Sequence, residues 1–342
     1  MVTIKDVARD AGVSVGTVSN VLNGGRVSEA RRKLVEASIE KLGYQVNTLA
    51  KGMRMQKTDY VVVILPNLIN PYFALLLDAL ESELSAVGKQ VLLCLSGDDA
   101  EREVAFMDMA KQNKVDGIIG VTYSKVEEER IENMAFVSID RHYKSHIPCV
   151  AGDNWQGGWL AAENLHKRGS TNLLCFMTMS SVDSEVRKRR VGFTEYCMEH
   201  DLSCNSVEMS EKQIVSVYES YGSRKLINNM LRAYISPSMG EHSIDGIFTS
   251  SDHLATIVQE ELEEMGKRVP EDIQIIGYDG LQFLNQGKPI VSSIAQPVHE
   301  IAKEAVRCLN ELIANGKTEG NTKIPVSFQE GPTTKTLVTE EK

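Results

Sequence analysis

A chain of 342 residues is too long for one small domain and predicts two or three. Its 42% hydrophobic content suits a globular core, and no run of about 18 uncharged apolar residues is present to form a membrane-spanning helix. The net charge of −10 is uneven: residues 1–58 carry ten Lys/Arg against five Asp/Glu, a balance of +5, which leaves −15 for the remainder. A basic head on an acidic body predicts that the head meets phosphate while the body is repelled from it. The opening MVTIKDVARD has charges where a secretion signal needs an apolar core, so a cytoplasmic protein is expected. Six scattered cysteines without a Cys-x-x-Cys pair then read as small buried hydrophobes, not as disulfides or zinc ligands.

The first elements in chain order form a helix-turn-helix. Thr3 is a fitting N-cap for a helix carrying Asp6 in its first turn, and Ile4, Val7, Ala8 and Ala11 make one apolar stripe. Gly12 supplies the turn. Ser14 is placed to cap a second helix, Val15 to Leu22, whose Val18, Val21 and Leu22 face back onto the first. Its outer face is then Val15, Gly16, Thr17, Ser19 and Asn20, small and polar enough to enter a DNA major groove. From spacing alone, an ordinary helix pair in an interaction module fits equally well. The wording decides for DNA: Thr-Ile-x-Asp-Val-Ala, then Ala-Gly-Val-Ser-x-x-Thr-Val-Ser-x-Val-Leu-Asn, resembles the lactose repressor/galactose repressor family of bacterial transcriptional regulators.

A third helix is predicted from Ser28, as cap, to Leu42, closed by Gly43, with Leu34, Val35, Ile39 and Leu42 inward. Val27-Ser28, Arg31, Leu42-Gly43-Tyr44 and Asn47 again match the family pattern, and residues 1–46 are expected to be the DNA-binding domain. Residues 47–58 (NTLAKGMRMQKT) are a linker of barely two helical turns, which is marginal in water. The resemblance implies that it becomes a hinge helix when two copies meet in the minor groove. Met53 then stands at the position of the apolar wedge, where the family usually has leucine. DNA contacts are expected from Thr3, Val15, Gly16, Thr17, Ser19, Asn20, Asn23, Arg26, Ser28, Met53 and Arg54. Asn20 stands where arginine is common in the family and Gly16 has no side chain, so direct base readout is thin and no operator sequence follows.

From Tyr60 the texture becomes short Val/Ile/Leu runs (61–65, 91–95, 117–121, 136–139, 172–177, 245–249, 273–277) alternating with amphipathic helical patterns. That alternation predicts an α/β body of two doubly wound parallel sheets. The resemblance implies a two-lobed core like a periplasmic sugar-binding protein, occupying 59–342. The expected N-lobe is about 59–157 and 292–321, and the C-lobe about 158–291 and 322–342, with crossings near 155–160, 288–293 and 320–325. Helix 72–87 carries Leu75, Leu76, Leu77, Leu80 and Leu84, too wide a stripe for one core face. The resemblance puts a homodimer interface there, and the absence of a leucine-heptad tail after Thr333 predicts dimers and not tetramers.

No Gly-x-Gly-x-x-Gly after a strand, phosphate loop or Gly-x-Ser-x-Gly elbow is present, so no enzyme and no cofactor is expected. His142 and His146 flank a lysine in a loop and are not expected to hold a metal. Ligands of such sheets bind beyond the carboxyl ends of the strands, where Asp140, Asp252 and Asp279 follow apolar runs. Asp252 is equally well placed as a helix cap. By resemblance, Tyr72 and Phe73 are the aromatics against the effector, Arg189 in Arg-x-x-Gly-Phe is its gripping arginine, and Gln296 is a further match. Rings, carboxylates, an arginine and an amide suit a polyhydroxylated ligand, a sugar or, given Arg187 to Arg190, a sugar phosphate. Trp155 is either a second stacking face or lobe packing.

The expected function is therefore a homodimeric repressor of carbohydrate-utilisation genes, which binds near-palindromic double-stranded operator DNA under allosteric control by a small effector. Two other readings stand beside it: a sugar receptor without DNA binding, opposed by the basic head, and a global regulator driven by a phosphorylated protein partner.

Overall fold

In the computed structural model, residues 2–22, 24–44, 58–124, 131, 134–143, 147–179, 182, 184–210, 213, 224–235, 243–282 and 287–337 are described. The chain divides into two compact units, Met1–Thr58 and Asp59–Lys342.

The first unit holds α1 (Ile4–Asp10), α2 (Val15–Leu22) and α3 (Glu29–Leu42). Thr3 and Asp6 form a reciprocal capping box at the start of α1. The Ser14 hydroxyl accepts from the Thr17 amide at 3.1 Å and starts α2. Val7, Ala8, Val18, Val21 and Val35 are the buried core. Two expectations fail in α3. Ser28 sits at the N-cap position but its side chain makes no capping bond. Leu34 is 55% exposed, not inward. The face turned to the core runs through Val35, Ser38, Ile39 and Leu42, one position round the helix, because the Ser38 hydroxyl bonds the Asp10 carboxylate at 2.8 Å and so draws that face in.

The second unit is built as two lobes. The first opens β1 (Tyr60–Leu65), α4 (Pro71–Ala86), β2 (Gln90–Leu95), α5 (Ala100–Gln112), β3 (Gly117–Gly120), β4 (Phe136–Ile139) and β5 (Cys149–Gly152). The second follows with α6 (Asn154–Lys167), β6 (Asn172–Met179), α7 (Arg187–Glu199), β7 (Ser203–Ser210), α8 (Lys225–Ile235), β8 (Gly246–Thr249), α9 (Asp252–Glu264), β9 (Gln274–Asp279) and β10 (Ser292–Ala295). The chain then returns through α10 (Val298–Asn315), β11 (Thr322–Ile324) and β12 (Ser327–Gln329). The sheets run β11-β5-β4-β3-β1-β2 and β12-β10-β9-β8-β6-β7. All pairings are parallel except β10 with β12. Strands covered on both faces must be apolar throughout, and β1, β3, β4, β5, β8 and β9 are buried along nearly their whole length.

The crossings differ from those expected. The chain changes lobe between β5 and α6, between β10 and α10, and between β11 and β12. Thus 292–295, expected in the N-lobe, belongs to the second sheet, and 322–324, expected in the C-lobe, belongs to the first. These strands are three or four residues long and carry buried Ser292 and Ser293 in place of an apolar run, so hydrophobicity could not locate them. The leucines of α4 are also largely explained within the chain. Leu76, Leu80 and Leu84 are buried with Ile301, Ala302, Ala305 and Leu309 of α10, and Leu77 packs against the same cluster.

Each sheet reverses its strand order, at β1 in the first and at β6 in the second. Loops leave such a point in opposite directions and open a crevice beyond the strand ends. Among the described residues, no helix is long and apolar enough to cross a membrane.

Candidate functional site

Between the lobes lies a cavity of about 770 Å³, including its open mouth. Tyr72, Phe73, Asp140, Arg189, Asp279 and Gln296 line it together. Asn67 accepts from the amides of Ile69 and Asn70, and Asn70 caps α4 through the Tyr72 amide at 3.1 Å. That loop sets the Tyr72 and Phe73 rings edge to face, 5.5 Å apart. Asp140 follows β4 and Asp279 ends β9, and both stand on left-handed backbone, φ 60° and 120°. So does a third lining carboxylate, Asp98 after β2, with φ 57°. Aspartate tolerates this conformation better than most residues, and such strain concentrates where side chains must be aimed.

Arg189 is 5% exposed and held on three sides. Its Nε donates to Asn154 Oδ1 at 2.6 Å, an Nη donates to the Ser250 carbonyl at 2.7 Å, and the guanidinium lies 3.5 Å from the Tyr278 ring centre. Burial opposes its charge, but Tyr278, Asp279 and Asp140 around it prevail and hold it cationic. Burial pushes the Asp140 carboxyl up to about 6 against the pull of Arg189, and that of Asp279 up to about 7. Asp98 rises to about 6, also by burial.

Several buried polar atoms around the cavity lack a hydrogen-bond partner: the Tyr72 hydroxyl, Asp98 Oδ1, the Ser184 hydroxyl, Asp279 Oδ2 and Gln296 Oε1. A buried group left unpaired costs about 1–3 kcal/mol, so several converging on one space make it the candidate ligand site.

Asp252 does not join them. It is fully buried in the second lobe, where its carboxylate accepts from the Leu281 amide at 2.7 Å and the Ser293 hydroxyl at 2.6 Å. It is not the helix cap either, since Ser251 caps α9 through the Leu254 amide. Gly277 makes this possible: a Cβ there would lie 2.2 Å from Asp252 Oδ1. Trp155 lies away from the cavity, with its ring against Trp159 at 5.2 Å and its Nε1 donating to Glu195 at 2.6 Å.

On one flank the lobes touch. The Glu185 amide donates to the Asp140 carbonyl at 2.9 Å, and the Glu185 carboxylate bonds His142 and Lys188. His146 lies outside the described residues, and among those described no group of three or more potential ligands is placed to hold a metal.

In the first unit, α2 presents Val15 (36% exposed), Gly16 and Asn20 to solvent, while Thr17 and Ser19 are half-buried. The Thr17 hydroxyl pairs with Ser14 at 2.9 Å, and that of Thr3 donates to Asp6 at 2.6 Å, so Thr3 is occupied by its cap. Arg26 and Ser28 are exposed. Asn23, Met53 and Arg54 lie outside the described residues.

The family model for bacterial regulatory proteins, lacI family, matches residues 3–47, and that for a periplasmic binding protein-like domain matches residues 162–334. The chain belongs to the lacI family. This lacI-family chain is 32% identical over 332 residues to the sucrose operon repressor of Pediococcus pentosaceus, covering 96% of this chain and 98% of that one. It is 32% identical to the ribose operon repressor of Halalkalibacterium halodurans, covering 90% and 89%. Among solved structures, it is similar to a periplasmic binding protein/LacI transcriptional regulator from Alkaliphilus metalliredigens complexed with D-xylulofuranose. That likeness has a TM-score of 0.69 at 26% identity and covers 81% of this chain and 100% of the other.

Sequence reasoning missed Asp98, Tyr123, Thr178, Ser250 and the asparagine pair Asn67/Asn70 as cavity residues of this lacI-family chain. Asp98 and Tyr123 come two or three residues after apolar runs, so extending the same strand-end inspection would have found them. Ser184 carried no such signal, because it lies five residues beyond the end of β6 at Met179, further than that inspection reaches.

Proposed function

We propose that this chain is a homodimeric, sequence-specific transcriptional repressor of carbohydrate-utilisation genes, acting in the cytoplasm and controlled by a small sugar bound between its lobes. The observation that carries the reading is the set of unpartnered buried polar atoms around Arg189, Asp140 and Asp279, in a chain whose other unit is a lacI-family DNA-binding head. Carboxylates and a guanidinium take adjacent hydroxyls in pairs, and Tyr72 and Phe73 offer ring faces to the apolar side of a sugar. Relatives named for sucrose and ribose operons support this ligand class.

Two copies of α2 would enter successive major grooves of a near-palindromic operator. Val15 is suited to a thymine methyl and Asn20 to a base edge, while the basic residues of 1–58 hold phosphates. The sugar touches both lobes, so it favours one lobe arrangement over another by its differential affinity, and this biases whether residues 47–58 of two copies can pair on DNA.

A thermal-shift screen of sugars on the full-length protein, followed by operator gel shifts with the hits, tests the proposal. A ligand at 100 times its Kd adds about 2.7 kcal/mol, an easily read rise in Tm, and the same ligand must alter operator binding. A hit that leaves the gel shift unchanged overturns allosteric control.

A further inference from the structure

We propose that the cavity takes an uncharged sugar and discriminates against its phosphate ester. This rests on the reading of the cavity as an effector site.

The polar atoms left open there are mostly acceptors. Asp98 Oδ1, Asp279 Oδ2 and Gln296 Oε1 are buried without partners; the amide oxygen, and each carboxylate once ionised, is satisfied only by donors. A sugar hydroxyl brings a donor, whereas a phosphate dianion brings only further acceptors and negative charge. Three carboxyl groups, Asp98, Asp140 and Asp279, already face this space. Burial has raised each of them because charge is poorly solvated there, and the same poor solvation penalises a buried phosphate dianion.

Most of the features that usually hold phosphate are committed elsewhere. Arg189 spends Nε on Asn154 and one Nη hydrogen on the Ser250 carbonyl, so the Nε edge of its fork is closed to a phosphate. The first amides of α7 donate to the carbonyls of Ser184, Glu185 and Val186, leaving no free amide nest at that helix start. The Lys188 ammonium is held by Glu185 at 2.5 Å. Arg187 also lines the cavity but is itself solvent-exposed, where water and salt screen its charge.

The test uses matched pairs on the full-length protein: D-ribose and ribose 5-phosphate, D-fructose and fructose 6-phosphate, D-glucose and glucose 6-phosphate, and sucrose and sucrose 6-phosphate. Thermal shift finds the responding pair and isothermal titration gives both Kd values. The expected result is a phosphate ester that binds at least tenfold more weakly than its parent sugar. Asp98→Asn, which removes one charge and keeps the shape, should narrow that ratio by about threefold or more. A phosphate ester that binds as tightly as its parent, or more tightly, overturns the proposal and leaves the sugar reading standing. An unchanged ratio in Asp98→Asn overturns the carboxylates as its cause. No response to any member of the pairs removes the sugar reading and this selectivity together.

Discussion

The Gln296 side-chain amide donates to Asp279 Oδ1 at 2.9 Å, so a residue on a crossing between the lobes fixes the orientation of a cavity carboxylate. The other Asp279 oxygen is buried without a hydrogen-bond partner. Removing this carboxylate should be felt in binding more than in folding. Asp279→Ala is expected to weaken the effector sugar at least tenfold, in line with about 1.5–3 kcal/mol for a hydrogen bond to a charged group. Isothermal titration measures the loss, and a circular-dichroism melt close to that of the parent protein checks that the fold survives.

The raised carboxyls make stability depend on pH in a defined direction. In the folded protein Asp140 titrates at about 6 and Asp279 at about 7, against 3.8 for an ordinary aspartate. Between those values the unfolded chain has released protons that the native cavity still holds. The contribution of these two groups to the stability of the free protein therefore falls as pH rises from about 4 to about 7. Asp98, at about 6, and Glu103, at about 7, act in the same direction. Melts across this range should show the decline, and Asp140→Asn with Asp279→Asn should reduce it to the part that Asp98 and Glu103 contribute. If sugar hydroxyls donate to the ionised carboxylates, binding releases protons. Titrations near pH 6.5 in buffers of different ionisation enthalpy should detect that release.

Helices α6 and α7 approach so closely that their glycines are obligatory. A Cβ on Gly158 would lie 1.8 Å from the Arg189 carbonyl oxygen, and one on Gly192 would lie 2.0 Å from that of Trp155. Backbone atoms cannot swing aside as a side-chain tip can. Gly158→Ala should cost roughly 3 kcal/mol or more, beyond the usual range for overpacking, and should also displace Arg189. Urea denaturation reads the first effect and sugar affinity the second. A stability within 0.5 kcal/mol of the parent would contradict this packing.

In the head, Asn20 is exposed on α2 and suited to a base edge. Asn20→Ala should reduce discrimination by roughly 1–3 kcal/mol at one operator position and leave the others unaffected. Competition binding against single-base operator variants measures this. A uniform loss across all variants would make Asn20 a phosphate contact.

Much of this protein follows from local chemistry. The capping box of Thr3 and Asp6, the turn at Gly12 and the inward valines of α2 are decided within a few residues of each other, so the head is legible as a motif. The Val/Ile/Leu runs mark buried parallel strands because a strand covered on both faces must be apolar throughout. The residues after those runs lead to Asp140 and Asp279, while the family resemblance supplies Tyr72, Phe73, Arg189 and Gln296.

What tertiary structure alone decided is direction and membership. Asp252 and Asp279 both follow apolar runs, yet one is drawn into the second lobe by Leu281, Ser293 and the space above Gly277, while the other is aimed at the cavity by left-handed backbone and Gln296. Strands β10 and β11 joined sheets opposite to those expected because strand pairing is a long-range choice that three or four residues do not encode. Leu34 likewise lost its inward place to Ser38, which found a partner in Asp10, 28 positions away. Local sequence specifies which residues can be buried or charged, and only the packed chain specifies what each of them faces.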